Sequence, residues 1–140
     1  MIPVVVDTNV LVAGLRSRRG ASHRVLQLVG RGQFETVVSV PLVLEYEGVL
    51  KRQSRSLGLR HADVDDVLDY VCRVSSQRTV FYLWRPVLRD PKDDMVLELA
   101  VESESDAIVT HNVKDFAGAE KFDVRVIRPQ DLLREIGELS

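Results

Sequence analysis

Short runs of β-branched and other apolar residues recur along the chain, and polar residues or glycine bound each run. Runs of three or four such residues predict strands that are buried on both faces of a sheet. The four clearest runs are residues 4–6, 36–38, 107–109 and 124–127. A fifth apolar stretch, residues 80–83, is expected to be a strand or an extended segment.

Between these runs the apolar positions follow the period of a helix instead. The predicted helices are residues 22–30, 40–52, a segment opening at Asp63, a segment starting at Asp90-Pro91, and residues 129–138. Residues 14–20 and 55–60 are polar, basic connectors. Strands that alternate with helices imply an α/β protein with a mostly parallel sheet covered on both faces. We expect a single domain that spans residues 1–140.

Composition is compatible with a folded, cytoplasmic protein. Of the 140 residues 45% are hydrophobic, yet no apolar run is as long as a membrane span and the first residues do not resemble a signal peptide. Cys72 is the only cysteine, which excludes an intrachain disulfide, and its place in a helical apolar pattern predicts a core position. Net charge is −2, so overall charge does not indicate a nucleic-acid-binding protein.

Basic residues are nevertheless concentrated in two segments of the chain. One holds Arg16, Arg18 and Arg19, and the other runs from Lys51 to Arg60. The planar guanidinium of Arg can bond two phosphate oxygens at once. Each segment is equally compatible with ordinary solvated surface charge.

Polar residues follow two of the predicted strands directly. Asp7, Thr8 and Asn9 come after the first strand, while Thr110 and Asn112 come after the strand that ends at Val109. Ligands of parallel sheets bind beyond the carboxyl ends of the strands. An Asp that closes a buried strand is costly unless its charge is compensated, and a hard divalent cation is one suitable partner.

Two further acids lie on predicted helices. Glu45 is close to the apolar face of its helix, and Asp93 shares an inward face with Leu97 and Ala100. Asp94 is rotated from Asp93 by about 100° and is expected to be exposed. Every one of these polar residues also has an ordinary alternative, as a cap, a turn residue or a surface acid. Their combination is what indicates a site.

Four segments in order resemble the motifs of PIN domains. They are Val-Val-Asp7-Thr8-Asn9-Val10, then residues 44–50 around Glu45, then residues 90–100 with Asp93, and finally residues 108–116 from Ile108 to Phe116. Their order and spacing match over nearly the whole chain. The Asp-Pro-x-Asp-Asp sequence at residues 90–94 is similar to that of a subgroup of VapC-like toxin ribonucleases.

This resemblance implies a three-layer α/β/α sandwich and a metal-dependent endoribonuclease, the toxin of a toxin–antitoxin pair. It implies Mg²⁺ or Mn²⁺ as cofactor, RNA as substrate, an antitoxin protein as partner and a homodimer. Asp7, Glu45 and Asp93 match the metal-binding acids of the family. Many members also have Asp two residues after the Thr, where this chain has Asn112, and Asp115 follows three residues later.

The expected catalytic residues are therefore Asp7, Glu45, Asp93 and Asp115. Hydrogen bonds from residues around the metal ligands orient such ligands, and the residues expected in that role are Thr8, Asn9, Thr110 and Asn112. Replacement of one acid by Asn112 predicts one firmly held metal, bound by Asp7 and Asp93, and a second that binds weakly.

Three other functions were weighed against this one. A phosphatase of the haloacid dehalogenase kind needs a second Asp two residues after the first, and this chain has Asn9 there. A receiver domain needs an acidic pair after the first strand. A degenerate PIN domain that only binds RNA or a protein remains the main alternative.

Overall fold

The computed structural model of the protein describes residues 1–80 and 87–139. Its strands are β1 (Ile2–Val6), β2 (Phe34–Val38), β3 (Ser76–Gln77), β4 (Ala107–Val109) and β5 (Arg125–Ile127). Within those residues they form one five-stranded sheet in the order β3-β2-β1-β4-β5, and every neighbouring pair is parallel. The predicted parallel sheet is therefore confirmed.

Helices connect and cover these strands. They are α1 (Thr8–Arg16), α2 (Ala21–Leu28), α3 (Val40–Arg52), α4 (Ser54–Leu57), α5 (His61–Val74), α6 (Pro91–Glu102) and α7 (Pro129–Glu135), with two 3₁₀ turns at Val113–Phe116 and Ala119–Phe122. Val4 and Val5 on β1 and Ile108 on β4 have no solvent exposure. Because side chains on a strand alternate between its faces, the sheet is covered on both sides, as an α/β/α sandwich requires.

Strand register determines which residues meet at the edge of the sheet. Val6 pairs with Val109, and the Asp7 N–H donates to the Val109 carbonyl oxygen over 2.9 Å. The residues that follow these two strands, Asp7 and Thr110, are consequently neighbours at the carboxyl edge. This edge is where ligands of parallel sheets bind.

The first helix was not predicted from the sequence. Helix α1 follows Asp7 without a connecting loop and reaches Arg16, so only the last part of the predicted 14–20 connector is irregular. Val10 and Leu11 are buried on its inner face. A helix of only nine residues that follows a strand without a loop has too few turns for its apolar period to be recognised in the sequence.

Smaller differences concern the middle of the chain. The connector predicted at residues 55–60 contains α4, and the edge strand is the polar pair Ser76–Gln77. Residues 81–83 of the predicted apolar strand lie outside the described residues. Cys72, predicted to be in the core, is partly exposed. None of the described helices is both long and apolar enough to cross a lipid bilayer.

Candidate active site

Asp7 has two separate structural roles, one for each carboxylate oxygen. Its backbone leaves β1 in an extended conformation, and Oδ1 caps α1 by accepting the Thr8 N–H at 2.9 Å. Asp is among the best residues for such a cap. The second oxygen, Oδ2, accepts the hydroxyl of Thr110 at 2.8 Å. The carboxylate is therefore held in one orientation at the end of the central strand.

Thr110 is the most buried residue of this cluster, with no solvent exposure. Its Oγ1 donates to Asp7 and accepts the backbone N–H of Asn112 at 3.0 Å and the Nδ2 of Asn9 at 3.2 Å. A hydroxyl has one donor and two acceptor positions, so this oxygen is fully satisfied. The Thr110 hydroxyl proton therefore points at Asp7, the one acceptor it has among the residues that the structure describes.

Asn9 links the first turn of α1 to the loop after β4. Its Nδ2 also donates to Asp7 Oδ2 at 3.2 Å, and its Oδ1 accepts the backbone N–H of His111 at 3.1 Å. Thr8 and Asn112 contribute backbone N–H groups to this network, whereas Asn9 and Thr110 contribute side chains. All four residues expected to orient the acids thus lie around Asp7.

His111 and Ser22 add a contact that the sequence did not indicate. Ser22 Oγ lies 2.6 Å from His111 Nε2, and Ser22 is buried at the start of α2. The contact ties α2 to the same loop. Two polar residues 89 positions apart carry no shared pattern in the sequence from which this pairing could be predicted.

Glu45 and Asp93 lie on two helices that pack against each other, α3 and α6. Glu45 Oε1 is 3.8 Å from Lys92 Nζ, a long ion pair whose lysine is 61% exposed. Asp93 is partly buried, and Leu97 and Ala100 on its helix are completely buried. The inward direction predicted for this face of α6 is therefore present in the fold.

Asp115 reaches the same region through the 3₁₀ turn at Val113–Phe116. The Asp115 N–H donates to the Asn112 carbonyl oxygen at 3.0 Å, and Phe116 anchors the turn because it is almost completely buried. The negative charge of Asp115 raises the pKa of both Asp7 and Asp93. The turn thus places Asp115 close to the other acids although Asn112 occupies the position where an acid is more common.

Electrostatics show that these acids share one environment. Burial raises the pKa of Asp7, the hydrogen bonds from Thr110 and Thr8 lower it, and the charges of Asp115 and Glu45 raise it again. Burial also raises the pKa of Asp93, to about 6, and the charge of Asp7 is the next cause. Such repulsion among carboxylates is relieved by a proton or by a cation.

Asp94, next to Asp93, has a different role. Its Oδ1 accepts the backbone N–H groups of Val87 and Leu88 at 3.2 and 3.0 Å. It was expected to be exposed, but it is partly buried because it closes the loop before α6. The two adjacent acids therefore face different parts of the molecule.

The chemistry of these residues fits a hard divalent cation, since all their donor atoms are oxygens. The same residues are, however, farther apart than the ligands of a preformed metal site. Among residues 1–80 and 87–139 no three acidic, histidine or cysteine side chains converge closely enough to form a ready-made metal site. Glu45 lies near Lys92, whereas Asp7 and Asp93 are close enough for the charge of Asp7 to raise the pKa of Asp93.

Tyr46 supports the site from the buried face of α3, a role that the sequence did not predict. Its hydroxyl donates to the Val6 carbonyl oxygen, and the side chain is 1% exposed. Burial raises the pKa of Tyr46, and the nearby charge of Asp7 raises it further. Tyr46 therefore joins the helix of Glu45 to the strand end that carries Asp7.

We expect Tyr46→Phe to lower the free energy of unfolding by about 1–3 kcal/mol, because the buried Val6 carbonyl oxygen loses its donor. Urea denaturation measures the change. Tyr70→Phe is the matched control, since the Tyr70 hydroxyl also donates to a carbonyl oxygen, that of Val29, but is only partly buried, so water can replace it. Equal losses in the two variants would contradict the expectation.

Comparisons with known proteins agree on one fold. A family model described as PIN domain matches residues 3–114. No curated protein matches the chain. Among solved structures, a chain in the crystal structure of VapBC2 from Rickettsia felis, bound to a DNA fragment from their promoter, matches with a TM-score of 0.62 and 13% identity. The match covers 91% of this chain and 98% of that chain, so the two share a fold over nearly their whole lengths.

Proposed function

The chain belongs to the PIN-domain family, a family of nucleases, as its four motifs predicted, and from this we propose that it is a metal-dependent endoribonuclease acting in the cytoplasm. One observation carries the proposal. At the carboxyl edge of the sheet, the charges of Asp115 and Glu45 raise the pKa of Asp7, and the charges of Asp7 and Asp115 raise the pKa of Asp93. We take residues 1–140 as one domain with this single site.

Asp7 and Asp93 are proposed to hold the Mg²⁺ or Mn²⁺ ion. When bound, a divalent cation offsets negative charge on the phosphoryl oxygens and makes water a stronger nucleophile. Glu45 and Asp115 lie around the pair, where they can accept a proton from water or bind the ion. Glu45 exchanges its contact with Lys92 easily because that contact is long and exposed.

Thr110 and Asn9 are proposed to keep Asp7 in its productive orientation. Both donate to Oδ2 of Asp7, while the Thr8 N–H holds Oδ1. Partners of this kind typically contribute about 10–100-fold in metal affinity or activity. Asn112 supports the network through its backbone N–H and supplies no charge.

A toxin role is proposed from the fold match. The matched Rickettsia felis protein is part of VapBC2. By analogy we propose that this chain is the toxin of a toxin–antitoxin pair, that its partner is an antitoxin protein, and that it forms a homodimer.

A non-catalytic PIN domain that binds RNA or a protein is the second candidate. Two observations favour it: Asn112 stands where an acid is common, and Lys92 partly neutralises Glu45. Incubation of purified protein with unstructured RNA, with Mn²⁺ or with EDTA, separates the two candidates. Cleavage that requires Mn²⁺ supports the nuclease, and binding without cleavage in Mg²⁺ or Mn²⁺ supports the alternative.

We expect the apparent affinity for Mn²⁺ to fall as pH falls through the pKa of Asp93, about 6. The ion competes with one proton, so the Kd should rise by about tenfold per pH unit below this value and level off above it. Titration calorimetry from about pH 5 to about pH 8 tests this. A flat profile would show that Asp93 does not exchange a proton for the ion.

The raised pKa of Asp93 affects stability in the opposite direction to metal affinity: Mn²⁺ affinity rises with pH, whereas the stability of the metal-free protein falls. The folded metal-free protein holds the Asp93 proton more tightly than the unfolded chain does, because the folded pKa is raised from 3.8 to about 6. Stability of the metal-free protein should therefore decrease as pH rises across that interval.

A further inference from the structure

A groove between α3 and α6 begins at the candidate site and continues away from it. Its volume is about 370 Å³, within the roughly 300–1,000 Å³ of pockets that bind small molecules. Glu45 lines the groove and therefore belongs to both the groove and the acid cluster. The apolar part of its wall consists of Pro41, Leu44, Pro91 and Met95.

Two cations, Lys92 and Arg52, line the same groove. Lys92 lies beside Glu45, and its side chain is 61% exposed. Arg52 is exposed and makes no ion pair with any residue that the structure describes. The adjacent Lys51 differs, because it contacts Glu47 at 3.1 Å and Asp65 at 2.8 Å. Arg52 thus presents an uncompensated charge to the groove.

Gly48 explains how Arg52 reaches into the groove. A methyl group at Gly48 would lie 3.3 Å from Nη1 of Arg52, so the guanidinium folds back beside the glycine. A glycine inside a helix costs roughly 0.5–1 kcal/mol relative to alanine. At this position the missing side chain leaves space for a cation one helical turn from a proposed catalytic acid.

On the basis of the function proposed above, we propose that this groove binds the phosphodiester backbone of single-stranded RNA beside the cleavage site. Lys92 contacts the phosphate nearest to the acids, and Arg52 contacts the next one. Glu45, which Lys92 contacts, and Gly48, beside which the Arg52 guanidinium lies, are about one turn or ~5 Å of rise apart on α3, which is of the order of the spacing of consecutive phosphates on one strand. The proline, leucine and methionine side chains pack against ribose and base without selecting a sequence.

A second copy of the chain fits this surface less well. Val40 and Leu44 are 70% and 59% exposed, which by itself would suit a protein partner. A two-fold interface, however, places the same patch of both copies face to face. Such an interface would bury Arg52 and Lys92 of both copies, which is costly for every charge that is left unpaired.

Binding of a fluorescent single-stranded RNA in EDTA tests the groove independently of cleavage. We expect Arg52→Gln to weaken binding about three- to tenfold at moderate salt and to reduce the slope of log K against log salt by about 0.7, the value for one phosphate contact on a single strand. Arg31→Gln is the matched control, since Arg31 is exposed in the turn before β2, at the opposite edge of the sheet. That control should leave both quantities unchanged.

Gly48→Leu separates groove occupancy from stability. Leucine favours the helix more than glycine does, so urea denaturation should show no loss of stability. The side chain fills the groove and displaces Arg52, so RNA binding should weaken as in Arg52→Gln. Loss of RNA affinity without loss of stability supports the groove.

Several results would overturn the RNA groove. They are an unmodified protein that binds no RNA in EDTA, an Arg52→Gln variant with unchanged affinity and salt slope, and variants that alter only the sedimentation of the protein. The last result would assign the surface to a second copy. If the variants weaken binding but the unmodified protein cleaves nothing with Mn²⁺, the groove stands and the nuclease proposal fails.

Discussion

A purified Asp7→Asn protein is expected to lose Mn²⁺-dependent RNA cleavage while it keeps its fold. Loss of a residue that merely supports a metal ligand costs about 10–100-fold, and loss of the ligand itself should exceed that range. Asparagine retains an oxygen that can accept the Thr8 N–H, so the cap of α1 survives. Single-turnover cleavage of unstructured RNA measures the effect.

The stability of the Asp7→Asn protein should change much less than its activity. Burial and neighbouring acids raise the pKa of Asp7, so at neutral pH its negative charge is unfavourable in the folded metal-free protein. Asp7→Asn removes this charge, but its amide NH2 replaces Oδ2, which accepts from Thr110 and Asn9, so the two effects oppose each other and the urea midpoint should change little. Asp69→Asn, an exposed acid on α5, is the control and should change neither activity nor stability. Full cleavage by the Asp7→Asn protein would refute the catalytic assignment.

Asp93→Asn and Asp94→Asn are expected to differ strongly in their effects on Mn²⁺ binding and cleavage, although the two acids are adjacent. Asp93→Asn should weaken Mn²⁺ binding by more than about tenfold and reduce cleavage in parallel, because Asp93 shares its electrostatic environment with Asp7. Asp94→Asn should leave both nearly unchanged. Its carboxylate oxygen accepts the N–H groups of Val87 and Leu88, and the amide oxygen of asparagine can do the same.

Titration calorimetry with Mn²⁺ on the two variants decides between the acids. Because both substitutions remove one negative charge at neighbouring positions, a general effect of net charge would act on both alike. If the Asp94 variant lost metal binding and the Asp93 variant kept it, the assignment of the inward face of α6 would be wrong. Equal losses would mean that charge and not position determines affinity.

The strands of the sheet interior and the helices that carry Glu45 and Asp93 could be predicted from local patterns of residues alone. Strands buried on both faces are continuous apolar runs, and an amphipathic helix repeats its apolar residues every three or four positions, so both patterns are local. The residues after β1 and β4 were assigned to one edge on the same local evidence. The PIN-domain family was also visible in four motifs, each of which is short and contiguous.

How those residues meet could not be predicted in this way and is seen only in the folded protein. The contact of Thr110 with Asp7 spans 103 positions, and the bond from Tyr46 to Val6 spans 40, distances over which no pattern in the chain links the partners. The position of Asp115 depends on a 3₁₀ turn anchored by Phe116, and a turn path is set by the packing of its anchor.

The groove beside the site could not be predicted from the sequence for the same reason, since its residues come from distant parts of the chain. Gly48 and Arg52 are four residues apart on one helix, but Lys92 comes from another, and the pattern of either helix alone is that of ordinary surface residues. Sequence periodicity reports which face of a helix is buried. It does not report which helix packs beside it, because that depends on the volumes and shapes of side chains far away in the chain.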